Sequence, residues 1–154
     1  MKAAITGRVE ILDLVKEGLD AQGASVEASD FLAYWFEKDA APDAEVIGWM
    51  QNYPARHVIG TNNETRRASF IETEMGFAAM VERVFASGRL GVAKPDQEFF
   101  EQIEDWAGVA PERILFVDDL QKNTDAASLR GWTGFHFTPA TRAALPELLG
   151  IQMA

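Results

Sequence analysis

Between Gly7 and Gly23 the apolar residues Val9, Leu12, Val15 and Leu19 recur at helical spacing, and Gly23 follows as a stop. A second helix is expected to open at Ser29-Asp30, where either residue can cap, and to carry Phe31, Leu32, Trp35 and Phe36. Lys38-Asp39-Ala40-Ala41-Pro42 reads as a loop, which sets a helical pair at 1–42 apart from the remainder at 43–154. Beyond Pro42 the texture changes to short apolar runs alternating with amphipathic stretches. Asp43 can cap a helix bearing Val46, Ile47 and Met50, and His57-Val58-Ile59-Gly60 reads as a strand ending in Thr61-Asn62-Asn63. Asn62 or Asn63 is placed to cap the next helix, which should stop at Gly76. Val84-Phe85 is a short strand. Pro95-Asp96 opens a helix with Phe99, Phe100, Ile103 and Trp106 on one face, closed by Gly108. Ile114-Leu115-Phe116-Val117 has no polar interruption, as expected for a strand covered on both faces. A helix is then expected after Asn123, and Phe135-His136-Phe137 gives the last strand. This alternation predicts an α/β class, a Rossmann-like parallel sheet flanked by helices.

Composition narrows the functions available. The chain has 154 residues, 47% hydrophobic and 25% charged, which describes a globular protein rather than a disordered one. Its net charge of −10 argues against nucleic acid and anionic membranes as partners, since both call for clustered Lys and Arg. Zero cysteines exclude disulfides, Cys-based zinc sites and thiol nucleophiles. No segment reaches the roughly 20 apolar residues of a membrane span, so a soluble, cytoplasmic protein is the expectation.

In open parallel sheets, ligands gather at the carboxyl ends of the strands. After the first strand stands Thr61, a hydroxyl followed by a helix start whose N–H groups favour an anion. After the most apolar strand stand Asp118 and Asp119. Two adjacent carboxylates repel by about 4 kcal/mol at 4 Å and an effective dielectric near 20, and a hard cation such as Mg²⁺ relieves this with oxygen ligands alone. Lys94 precedes Pro95 at another helix start. A hydroxyl, an ammonium and a carboxylate pair at one sheet edge together describe a phosphoryl-group site.

Gly60-Thr61-Asn62, Gly91-Val92-Ala93-Lys94-Pro95-Asp96, and Phe116-Val117-Asp118-Asp119 with Asn123 beyond resemble the second, third and fourth motifs of the haloacid dehalogenase superfamily. The likeness is closest to its helical-cap phosphatase group. It implies that Thr61, with Asn62, binds the transferring phosphoryl group and that Lys94 neutralises it. It implies that Asp118 holds Mg²⁺ directly and that Asp119 supports the ion directly or through water, with Asp125 as a weaker outer candidate. Residues 7–39 resemble the latter part of the cap, and the implied partner is a small phosphorylated metabolite. Paired aspartates in the fourth motif favour a Mg²⁺-dependent phosphatase over the metal-free dehalogenases of the same superfamily.

The first motif of that superfamily, Asp-x-Asp at the end of an N-terminal strand, is not found. Ile11-Leu12-Asp13-Leu14-Val15 comes nearest, but Val15 stands where the second carboxylate belongs, and helical periodicity accounts for the segment. No nucleophile is therefore assigned. Hydrolysis by this chain is expected to be absent or vestigial, and Mg²⁺ binding weakened by the loss of one carboxylate. The resemblance places the missing first strand between the strands ending at Thr61 and Asp118. Its place is expected to be taken by Lys2–Thr6, by a strand of another copy through open sheet edges, or by an upstream segment, the last being favoured. The alternative is a degenerate, non-catalytic phosphate-binding or scaffold protein of the same fold. Trp49, Trp106 and Trp132 read as packing residues, His57 and His136 as structural, and Arg66-Arg67 as a solvated helix face. Trp35 reads as a packing residue too, with the exception that, as a cap aromatic, it could face a substrate.

Overall fold

A computed structural model describes residues 2–151. In chain order the helices and strands are α1 (Lys2–Ile5), α2 (Ile11–Ala21), α3 (Ala28–Lys38), α4 (Ala44–Asn52), β1 (Val58–Thr61), α5 (Thr65–Thr73) and β2 (Arg83–Ala86). There follow α6 (Ser87–Leu90), α7 (Gln97–Ala107), β3 (Leu115–Asp118), α8 (Gln121–Ser128), β4 (Thr133–His136) and α9 (Ala144–Leu148). They divide into two compact units, one of residues up to Ala44 with Arg56–Ala93, the other of Glu45–Ala55 with Lys94 onward.

In the first unit the helical pair closes over Ala4, Ile11, Leu32 and Phe36, with Leu12, Val15 and Phe70 packed against them. The start of α2 falls later than periodicity predicts: Glu10 is its extended N-cap, and Val9, 38% exposed, lies outside the helix. Neither Ser29 nor Asp30 caps α3, because the helix already begins at Ala28 behind an extended Glu27. Lys2–Ile5 is helical, so this segment does not act as a surrogate strand. It is held instead by Ser87, a fully buried residue whose hydroxyl donates to the Ile5 carbonyl at 2.6 Å and to the Asn63 carbonyl at 3.3 Å. Beside it the backbone passes so close that glycine is required twice. Gly7 (φ +69°) lies against the Gly88 carbonyl, and a Cβ on Gly88 would come within 2.7 Å of Glu64 Cα.

In the second unit the apolar face of α7 buries Phe99, Phe100 and Ile103. Phe100 meets Phe116 of β3 and Trp132 edge-on, at centroid distances of 5.5 and 5.4 Å. Such T-shaped pairs set the positive ring edge against the negative face. Glu104 at the end of this cluster accepts from the Trp132 indole N–H at 2.7 Å and pairs with Arg130. Trp49 is buried under the Arg142 guanidinium, 5.2 Å from its ring, so Trp49 and Trp132 are packing residues as their positions predicted. The helix after β3 begins at Gln121, so Asn123 lies inside it rather than before it.

Each unit contributes one parallel strand pair: β1 with β2 in register Thr61↔Ala86, and β3 with β4 in register Asp118↔His136. Among the described residues no ladder joins the pairs, so β1 and β3 each have one edge without a strand partner. Val117 is accordingly 38% exposed, against the expectation of a strand covered on both faces. An apolar run marks a strand that can be covered, whereas actual cover depends on what lies beside it. No helix among the described residues is long and apolar enough to cross a membrane.

Candidate active site

In the first unit, Thr61 ends β1 half-buried, and its Oγ1 accepts from the Asn63 side-chain amide at 2.6 Å. The expected cap by Asn62 or Asn63 is not formed. Glu64 does this work: it is extended, 9% exposed, and its carboxylate accepts from the Arg66 and Arg67 backbone N–H groups at 2.6 Å each. A carboxylate is favoured there by the helix dipole. The N–H groups that sequence alone offers to an anion are thus already engaged by the chain's own acid, leaving the Thr61 hydroxyl and the Asn62 segment as the polar groups at this strand exit.

Arg67 departs from the solvated face expected of it. Successive helical residues point about 100° apart, so Arg66 faces solvent while Arg67 turns inward. Only 8% exposed, Arg67 donates to the Phe36 carbonyl at 2.7 Å and to Asp39 Oδ2 at 3.0 Å. Its guanidinium carbon lies 5.1 Å from both the Phe36 and Phe70 ring centroids.

In the second unit, Lys94 and Asp118 form a buried ion pair, Nζ to Oδ2 at 2.6 Å, with side chains 9% and 5% exposed. Asp118 Oδ1 accepts from the Leu120 N–H at 2.9 Å and from the Asn123 amide at 2.8 Å. Burial works to raise the Asp118 pKa, but the Lys94 ammonium, with the Leu120 and Asn123 donors, holds it below the usual carboxylate range. The aspartate pair therefore does not face its own charge alone: Lys94 compensates Asp118, while Asp119 is exposed. The stem of Lys94 brings Nζ to 5.3 Å from the Phe116 ring centroid. Asn123 is 2% exposed, and its Oδ1 is the one buried side-chain polar atom among the described residues without a hydrogen-bond partner. Its part in fixing Asp118 is visible in sequence only as the five-residue step from one to the other. Asp125 is exposed on α8 and accepts from Gln121 at 2.7 Å. Asp13 is exposed on α2, at no strand exit. His136 pairs through Nε2 with the Asp119 carbonyl at 2.9 Å, a structural tie between β4 and the acidic turn.

Among the described residues no three His, Cys, Asp or Glu side chains cluster as a metal cage. Magnesium does not need one. It keeps several waters and is bound through one or two carboxylates together with substrate phosphate. Asp118 and Asp119 fit that donor set, and Asn123, whose amide N–H donates to Asp118 Oδ1, keeps its own buried Oδ1 without a partner.

A family model described as haloacid dehalogenase-like hydrolase matches residues 3–130. The chain belongs to the haloacid dehalogenase-like hydrolases. A predicted hydrolase of this family from Porphyromonas gingivalis superposes with a TM-score of 0.77 at 18% identity, over 97% of this chain and 78% of that one. A family enzyme from Bacteroides thetaiotaomicron, crystallised with magnesium and inorganic phosphate, gives 0.74 at 16% identity over 88% and 74% of the two chains. At these identities the likeness is one of fold. In sequence, a sesquiterpene phosphatase of Aspergillus oryzae is 38% identical over 69 residues, 44% of this chain and 35% of its own length. An enolase-phosphatase of Yersinia pestis is 40% identical over 40 residues, 26% of this chain and 18% of its own. The chain thus matches about a third or less of the length of these curated relatives.

Proposed function

We propose that the chain carries the phosphoryl-binding and metal-binding parts of a Mg²⁺-dependent phosphomonoester phosphatase acting on a small phosphorylated metabolite. The observation that carries this is the buried Lys94–Asp118 pair at 2.6 Å with Asp119 exposed beside it. Burying an ammonium and a carboxylate costs several kcal/mol per ion and adds little net stability. A pair kept at a strand exit is better explained by work on a charged ligand. The curated phosphatase relatives and the magnesium- and phosphate-bound fold neighbour support the same reading.

In this reading the first unit's part is the Thr61 hydroxyl with Asn62, ligands for phosphoryl oxygens, and the second unit's is Lys94, a cation for phosphoryl charge. Asp118, oriented by Leu120 and Asn123, and the exposed Asp119 are the ligands for Mg²⁺. The chemistry supplied by the bound ion is charge neutralisation at the phosphoryl oxygens. The sequence contains no Asp-x-Asp, so the attacking carboxylate is not among these residues.

Calorimetry of the 154-residue chain tests this directly. Inorganic phosphate should bind in the presence of Mg²⁺, more weakly without it, and more weakly again in Asp119→Asn. Turnover of p-nitrophenyl phosphate should be absent. Phosphate that fails to bind at millimolar concentration, with and without Mg²⁺, refutes the reading. A second reading, a non-catalytic phosphate-binding or scaffold protein, rests on the missing Asp-x-Asp. It is distinguished by adding a peptide strand that ends in this motif: the phosphatase reading predicts that hydrolysis then appears, the scaffold reading that it does not.

A further inference from the structure

A cavity of about 260 Å³ lies within the first unit, immediately after Thr61. One side is apolar, from Ile5, Ile11, Trp35 and Phe36; the other is the Asn62-Asn63-Glu64 segment, whose Asn63 amide donates to Thr61 Oγ1. A larger hollow of about 920 Å³ lies between α3 and α5, but Asn62 and Asn63 do not line it.

The charged groups around the smaller cavity are spent on one another. The Glu64 carboxylate caps α5 through two N–H groups. Arg67 donates to the Phe36 carbonyl and to Asp39, and lies against the Phe36 and Phe70 rings. What the cavity presents to a guest is therefore chiefly hydrocarbon. Trp35 adds an aromatic wall: it is 39% exposed despite its size, with its ring 6.1 Å from Phe36 and 6.4 Å from Phe31. The volume is at or below the lower end of drug-sized sites, about 300–1,000 Å³, so a nucleotide or polymer is too large.

From these features we infer that the cavity seats the leaving group of a phosphomonoester whose alcohol is small, uncharged and mostly hydrocarbon, aromatic or branched aliphatic. This rests on the phosphatase reading above, which puts the phosphoryl group at Thr61. A sugar alcohol would bring several hydroxyls into apolar walls and lose their hydration without matching partners. A benzyl or branched alkyl group gains by leaving water. Trp35 is then the residue that sets specificity.

The test is calorimetry on the full chain with Mg²⁺, titrating benzyl phosphate, glucose 6-phosphate, inorganic phosphate and benzyl alcohol. Benzyl phosphate should bind about tenfold or more tighter than inorganic phosphate, a step of about 1.4 kcal/mol. Glucose 6-phosphate should gain nothing over inorganic phosphate. Trp35→Ala should bring the benzyl-over-phosphate preference close to one, and Trp35→Phe should keep most of it. Tyr34→Ala, on an exposed position that does not line the cavity, should preserve it. Glucose 6-phosphate matching benzyl phosphate, or a preference that survives Trp35→Ala, overturns this inference and leaves the phosphatase reading standing. Benzyl alcohol and benzyl phosphate binding equally, with no binding of inorganic phosphate, overturns the phosphatase reading instead. Failure of every probe overturns both.

Discussion

Replacing Lys94 with methionine keeps the aliphatic stem over Phe116 and deletes one charge. Asp118, with its side chain 5% exposed, would keep the Leu120 and Asn123 donors on Oδ1 and lose the ammonium 2.6 Å from Oδ2. Breaking a buried pair by removing one partner costs about 3–5 kcal/mol. The two surviving hydrogen bonds place the expected loss near the lower end, about 3 kcal/mol. Urea titration at pH 7 measures it as a lower midpoint with an unchanged slope. The sign with pH follows from Asp118. Its folded pKa is lowered, so its contribution is present above the unfolded value of about 3.9 and is lost as pH falls through the folded value. The gap between Lys94→Met and the parent should therefore close in acid. Asp118→Asn removes the stranded charge, so the double variant should be more stable than the two single losses predict, by about 1–3 kcal/mol of coupling. Mg²⁺ should also raise the melting temperature of Lys94→Met more than that of the parent, because the ammonium no longer competes for Oδ2. Losses that add within about 0.5 kcal/mol would refute the claim that Lys94 and Asp118 act as one unit.

Four further outcomes are expected. Gly88→Ala should destabilise by about 1–3 kcal/mol in urea titration, because its Cβ would meet Glu64 Cα at 2.7 Å and Thr65 N at 2.9 Å; Gly18→Ala, whose Cβ would meet nothing within 4 Å beyond its own helix backbone, should stabilise α2 by about 0.5–1 kcal/mol. Glu64→Ala should cost about 0.5–2 kcal/mol by thermal melting through loss of the α5 cap, and Glu64→Asp should restore part of it. Glu104 is held below the usual carboxylate range by Arg130, against burial and with help from Trp132, so its stabilisation persists at neutral pH and fades as pH falls through its lowered pKa. Glu104→Gln should lose about 1.5–3 kcal/mol at pH 7, with the difference from the parent narrowing below about pH 4 in pH-resolved melts.

Strand exits were legible because a short apolar run followed by a polar cluster has one economical fold. His57–Gly60 and Ile114–Val117 yielded β1 and β3 within a residue, and with them the places of Thr61 and Asp118. Helix starts were less legible. Three residues in a row, Asn62, Asn63 and Glu64, can each cap, and the choice falls on Glu64 only because the backbone turns into the helix there. Arg67 could not be found from the sequence, since its burial depends on a carbonyl and an acid 28 or more residues away. The same holds for Lys94: its motif was readable, but its closure onto Asp118 across 24 residues is a tertiary fact. Val117 marks the converse limit, because hydrophobicity reports what a strand tolerates rather than what covers it.

Arg67 has a bearing on how the first unit can move. Its guanidinium ties the last turn of α3 to α5, and prising them apart would bare a cation now held against two aromatic rings. Motion in the first unit should accordingly carry the end of α3 and the start of α5 together rather than apart.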